Sequence, residues 1–184
     1  MKDRLKEALK PKRYQHSLGV AKTAKKLAEK YGADPEKAYT AGLLHDCAKL
    51  PIFNDQMKLA ERYEMKFDDI TMKCPAVIHA PLGARHAREA YGIDDREILD
   101  AIEFHTVGRA NMTLLDKIIY VADMIEPTRD FRGVEKLRRL ADKDIDRALI
   151  ACLKQSIAHN AKKESVIHPN TLEAWNDMMI HRGG

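Results

Sequence analysis

The chain has 184 residues, 45% of them hydrophobic and 33% charged, which supports one sizeable core and excludes an intrinsically disordered or fibrous protein. A formal net charge of +4 suits a polyanionic ligand but is too small to indicate nucleic-acid binding. The three cysteines, Cys47, Cys74 and Cys152, show no CxxC spacing, which argues against a disulfide framework or a thiolate zinc site and for reduced thiols.

The opening segment Met1-Lys2-Asp3-Arg4-Leu5-Lys6-Glu7 is charged and lacks the apolar core of a signal peptide. No apolar run approaches the roughly 18 residues of a membrane span. A cytoplasmic protein with no membrane association is expected.

The helical period dominates the chain. From His16, the residues Val20, Thr23, Ala24, Leu27, Ala28 and Tyr31 continue one stripe, ended by Gly32. Asp34-Pro35 reads as an N-cap followed by proline at the first helical position. The helix it opens carries Ala38, Ala41, Gly42 and His45 on one face and is closed by Pro51. Lys49 lies three residues after Asp46 and four after His45, so helical register directs it to the same locality. A short helix is expected from Asp55 to Tyr63 and a partly irregular stretch from Asp68 to Ile78. Pro81 opens a further helix, ended by Gly92, with His79 just ahead of it. Ile98, Ala101, Ile102 and His105 form another face that stops near Gly108.

Thr113, with Asp116 three residues on, reads as a capping-box variant at the next helix. Leu115, Ile119, Ala122 and Asp123 share one side of it, and Pro127 follows. Ile145, Ala148, Leu149, Cys152, Leu153 and Ile157 mark another amphipathic helix, and a last one begins after Asn170-Thr171 with Leu172, Trp175 and Met179. Strand-type alternation, repeats and linkers are lacking. The sequence therefore predicts an all-α, single-domain helical bundle over 1–184. Its site-bearing core spans about 13–132 and its C-terminal helices about 142–181.

The chemistry concentrates at His45-Asp46, which closes the apolar run Ala41-Gly42-Leu43-Leu44. Burying an ionised carboxylate is costly unless a cation or a close partner compensates it. A lone histidine on an apolar face is more often a hydrogen-bonded core residue than a ligand. Here His16, His105 and Asp123 also interrupt apolar faces, and one buried cation accounts for all of them. His79 can reach the same cleft. Mixed imidazole and carboxylate donors suit iron, manganese, cobalt, nickel or zinc better than calcium or magnesium, with room for one ion or two. Elsewhere the plainer readings hold. Cys47 is a buried thiol turned away from His45, His86 and His181 are surface residues, and His168-Pro169 precedes the last helix. Lys136, Arg138 and Arg139 face solvent, and Trp175 with its neighbouring methionines makes core or homodimer contacts.

His16, His45-Asp46 and Asp123 resemble the H…HD…D signature of HD-domain metal-dependent phosphohydrolases. The match narrows through Arg13-Tyr14-x-His16-x-x-Gly19-Val20, Gly42-Leu43-Leu44-His45-Asp46-x-Ala48-Lys49, His79-Ala80-Pro81-x-Gly83-Ala84 and His105-Thr106-x-Gly108. With Asp116-Lys117-Ile118-x-Tyr120-x-Ala122-Asp123-x-Ile125-Glu126-Pro127-x-Arg129, the chain resembles the YqeK family over nearly its whole length. Members of that family hydrolyse dinucleoside tetraphosphates symmetrically.

The resemblance implies that His16, His45, Asp46 and Asp123 hold the principal metal, with iron foremost. It implies that His79 and His105 either ligate a second ion or bond phosphate oxygens, and act with Asp46 in catalysis. Arg13, Lys49 and Arg129 are the candidates for phosphate contacts, since arginine offers a planar fork and lysine a point charge. The expected reaction is in-line attack of water, oriented by Asp46 in a metal-activated site, on an inner phosphorus of diadenosine tetraphosphate, releasing two ADP. Two other readings share the ligands. One is an HD-type phosphohydrolase or phosphodiesterase acting on other nucleotides. The other is a non-catalytic module whose metal staples the helices around a bound nucleotide.

Overall fold

In the computed structural model, which describes residues 1–181, no strand occurs among the described residues. The chain forms α1 (Lys2–Ala8), α2 (Pro11–Tyr31), α3 (Pro35–Leu44), α4 (Phe53–Arg62), α5 (Asp69–Lys73) and, after a 3-10 turn at Pro75–Val77, α6 (His79–Tyr91). It continues with α7 (Arg96–Phe104), α8 (Leu114–Ile125), α9 (Val134–Ala141), α10 (Ile145–Lys162) and α11 (Pro169–Ile180). The all-α expectation is met.

The helix starts follow the local chemistry. The Asp34 side chain accepts from the Glu36 and Lys37 amides at the head of α3. Thr113 and Asp116 cap each other's amides at the head of α8. Each such cap is worth about 1 kcal/mol because it satisfies amides that have no partner inside the helix. Gly32 ends α2 with φ of 80°, a left-handed conformation that costs other residues more.

α8 is the central element. It is buried almost all round and packs on α2, α3, α7, α9 and α10. α2 and α3 pack together along a seam of small residues, with Ala21, Ala24, Ala28, Ala38 and Ala41 fully buried. Larger apolar side chains fill the remaining core. Leu43, Leu44, Ile118 and Ile119 are essentially inaccessible, each contributing about 1.5–3 kcal/mol through removal from water.

Several boundaries differ from the sequence reading. α6 begins at His79 rather than Pro81; a proline inside the first turn is tolerated because those amides need no helical partner. α3 ends at Leu44, and His45 to Ala48 form a turn, so Lys49 reaches Asp46 across that turn rather than along a helix. α11 buries Thr171, Ala174 and Met178, while Leu172 is 42% exposed; the buried face is one residue out of step with the expected one.

Two surface assignments are also corrected. His86 is half-buried, with Nδ1 at 2.8 Å from the Tyr63 hydroxyl. Arg138 turns inward, donating to the carbonyls of Ile125, Glu126 and Arg129 at 2.9 Å each.

Candidate metal centre

The residues singled out from the sequence converge. α2 contributes His16, the turn after α3 contributes His45 and Asp46, and the start of α6 contributes His79. The turn after α7 contributes His105, and the last turn of α8 contributes Asp123. Asp46 is 1% exposed, and His45, His79 and His105 are equally inaccessible.

Asp46 divides the cluster. Its Oδ2 faces His45 Nε2 at 3.4 Å and His16 Nε2 at 3.8 Å. Its Oδ1 faces His79 Nε2 at 3.1 Å and His105 Nε2 at 3.7 Å. Asp123 Oδ1 joins the first pair, 2.9 Å from His16 Nε2 and 3.8 Å from His45 Nε2. The result is two histidine pairs with one carboxylate oriented between them.

The protonation of these rings is set by what holds their far nitrogens. His45 Nδ1 donates to the Gly42 carbonyl at 2.7 Å, and His105 Nδ1 donates to the Ile102 carbonyl at 2.7 Å. Glu126 Oε1 accepts from His16 Nδ1 at 3.0 Å. With the proton on Nδ1, each Nε2 presents a lone pair inward. His16 Nε2 and His45 Nε2 then oppose each other, lone pair to lone pair, at 3.2 Å, and His79 Nε2 lies 3.2 Å from His105 Nε2. Asp46 Oδ1 is buried and accepts no hydrogen bond.

Imidazole lone pairs and a buried carboxylate oxygen without a hydrogen bond, pointed at one another, are unfavourable unless a cation lies among them. His16, His45 and Asp123 supply donor atoms all within 4.8 Å of one another, and so do His45, Asp46 and His105. The donor set therefore fits a divalent metal.

The electrostatics agree. Burial opposes ionisation of Asp46, but the His45, His105 and His79 rings more than offset it and hold its carboxyl well below the usual range. Asp123 is lowered in the same way against its burial, by His16, His45 and Arg129. Burial depresses His79 to about 4 and also lowers His105. Both rings are therefore neutral at pH 7, the state a metal ligand requires. Burial acts to lower His45 too, yet Asp46 and Asp123 leave it raised.

The model of the family described as "HD domain" matches residues 13–128, more than half of the chain and every residue of this cluster. The chain belongs to the HD domain family. It is 44% identical over 178 residues to a protein of Halalkalibacterium halodurans named as a symmetrical bis(5'-nucleosyl)-tetraphosphatase, covering 97% of this chain and 95% of that one. A Bacillus subtilis protein of the same name is 41% identical over 172 residues, covering 94% and 92%. A Clostridium acetobutylicum crystal structure, described as a predicted HD superfamily hydrolase involved in NAD metabolism, superposes with a TM-score of 0.94. It is 42% identical and covers 98% of this chain and 96% of that one.

The basic side chains of this HD domain stand at the rim of the cluster. Arg13 Nη1 lies 2.7 Å from Asp46 Oδ2, and Lys49 Nζ lies 3.4 Å from Asp46 Oδ1. Arg129 pairs with Asp123 Oδ1 through Nη2 and donates from Nε to the Asp123 carbonyl at 2.7 Å. All three side chains are about one-third exposed, so each can turn from a carboxylate to an incoming anion.

Glu126 is the functional residue that periodicity did not single out. It is fully buried, orients His16 and accepts from the Thr128 amide at 2.8 Å. Burial works to raise its carboxyl, but Thr128 and His16 lower it below the usual value. A Cβ at Gly19 would run into this carboxylate, which gives the Gly19 of the His16-x-x-Gly19 string a reason. The available signal was an acidic residue three positions after Asp123, at the end of an apolar helix. Glu126→Ala is expected to weaken metal binding by about 10–100-fold by releasing the His16 tautomer, as measured by titration of the metal-free protein. Unchanged affinity would show that Glu126 does not orient a ligand.

Proposed function

We propose that this HD domain hydrolyses diadenosine tetraphosphate symmetrically, giving two ADP, with a divalent metal held by His16, His45, Asp46 and Asp123. The observation that carries the reading is Asp46 lying between two histidine pairs, one carboxylate oxygen toward each. For His105 we favour a second ion over direct phosphate binding, since its Nδ1 proton is committed to the Ile102 carbonyl and its inward Nε2 carries none. Iron is the metal we assign first on the family resemblance; the imidazole and carboxylate donors themselves favour a transition metal over calcium and magnesium. When bound, the metal supplies Lewis-acid polarisation and a water acidic enough to attack at neutral pH.

The protein's own groups do the rest. Asp46 fixes the orientation of the attacking water relative to the phosphate. Arg13 and Lys49 on one side, and Arg129 on the other, neutralise the charge that develops on the phosphoryl oxygens. A new oxygen–phosphorus bond forms at an inner phosphorus as the central bridging bond breaks, and the departing ADP carries the displaced bridging oxygen. The name of the two bacterial relatives, symmetrical bis(5'-nucleosyl)-tetraphosphatase, supports this regiochemistry. No helix among the described residues is long and apolar enough to cross a membrane.

Metal removal provides the test. Chelation is expected to abolish hydrolysis, and iron(II), manganese or cobalt to restore it, while lowering and raising the melting temperature in parallel. Full turnover after complete chelation would refute metal dependence.

A further inference from the structure

One arginine of α9 grips the segment that leaves α8. Arg138 donates from Nε to the Ile125 carbonyl and from Nη2 to the carbonyls of Glu126 and Arg129, each at 2.9 Å. Its Nη1 pairs with Glu135. The geometry points to Arg138 as a positioning residue for the metal centre, acting through Glu126 on His16. The inference rests on the metal assignment above.

The chain from 126 to 133 is not helical, so contacts other than a helical ladder must hold it, and Pro127 has no amide to give. α8 ends at Ile125, where a helix leaves its last carbonyls without amide partners and presents the negative end of its dipole. A guanidinium suits that end, because its planar fork of donors reaches several carbonyls at once. Arg138 takes carbonyls at both ends of the stretch 126–129, and the Arg129 amide closes the same turn by donating to the Glu126 carbonyl at 3.0 Å. The Glu126 carboxylate belongs to this anchored stretch. It is fully buried, accepts from His16 Nδ1 at 3.0 Å and receives both the amide and the hydroxyl of Thr128. The backbone that carries Glu126 is thus fixed from α9, while its side chain fixes a ring of α2.

Without Arg138 the carbonyls of Ile125 and Glu126, both buried residues, lose a charged donor, a loss that is costly away from water. The segment then gains by turning those carbonyls outward, and Glu126 moves off His16. The other partner of Arg138 does not share this link. Glu135 is exposed and its pairing contributes little, so removing the arginine strands no buried charge there. An arginine that only joined α9 to α8 would affect stability and leave the His16 ring where it is.

Cobalt(II) titration of the metal-free protein checks this in a double-mutant cycle. Arg138→Met, which retains an unbranched stem, is expected to lower metal affinity by about tenfold. In a Glu126→Ala background the same substitution is expected to cost less than about twofold, because the contact it acts through is already gone. If Arg138→Met does not fold, Arg138→Lys, which keeps the charge and loses the planar fork, takes its place in the cycle. Unchanged affinity in the single variant, or the same loss with and without Glu126, overturns the inference and leaves Arg138 a stabilising residue only. The unaltered protein tests the metal assignment separately: failure to bind cobalt(II) would refute that assignment before any variant is compared.

Discussion

Replacing Asp46 with alanine is expected to reduce hydrolysis of diadenosine tetraphosphate by at least about a thousandfold, the scale on which loss of a preorganised charge acts in a catalytic site. The size follows from its position. One oxygen faces His16 and His45 and the other faces His79 and His105, so a single substitution withdraws a proposed ligand from both halves of the cluster. Arg13 and Lys49 lose their shared carboxylate at the same time. The fold should survive, because the variant removes a buried charge rather than creating one. Rate measurement together with metal analysis of the purified variant checks this. Retained activity would remove Asp46 from the metal centre.

Gly42→Ala is expected to destabilise the protein by about 1–3 kcal/mol, the range for overpacking a tight core. A Cβ at Gly42 would meet the Ala21 Cα at 2.9 Å and the Ala21 amide nitrogen at 3.0 Å. Both are backbone atoms of α2, so no rotamer change relieves the contact and the two helices must part. The Gly42 carbonyl also accepts the His45 Nδ1 proton, so the same shift disturbs a proposed metal ligand. Thermal melting of the metal-free protein should fall by about 2–4 °C for each kcal/mol lost, and metal affinity should fall with it. An unchanged melting temperature would mean that the α2–α3 approach is looser than described.

The core helices were legible because they carry their signals locally. The stripe from His16, the Asp34-Pro35 start, the Thr113–Asp116 box and the Gly32 stop all appear where the residues placed them. The convergence of His16, His45-Asp46, His79, His105 and Asp123 was legible because buried charge needs a common cause. α1 and α9 were not anticipated. α1 buries one side chain, Leu5, and α9 buries only Val134, Leu137 and Ala141 amid charged neighbours, behind a start that no side chain caps. Such helices owe their existence to tertiary packing rather than to a readable period.

Arg138 and His86 were misread for a related reason. A charged or polar side chain turns inward when a partner waits there, and those partners, the carbonyls of 125–129 and Tyr63, are distant in the pattern that sequence periodicity records. The role of Glu126 likewise became visible only once α2 and α8 were side by side.

The most direct measurement is chromatographic analysis of the products formed from diadenosine tetraphosphate by the protein reconstituted separately with iron(II), manganese and cobalt. ADP as the sole nucleotide product is the predicted result, because attack at an inner phosphorus divides the chain in half. Equal amounts of AMP and ATP would contradict it, placing the attacked phosphorus at one end of the chain.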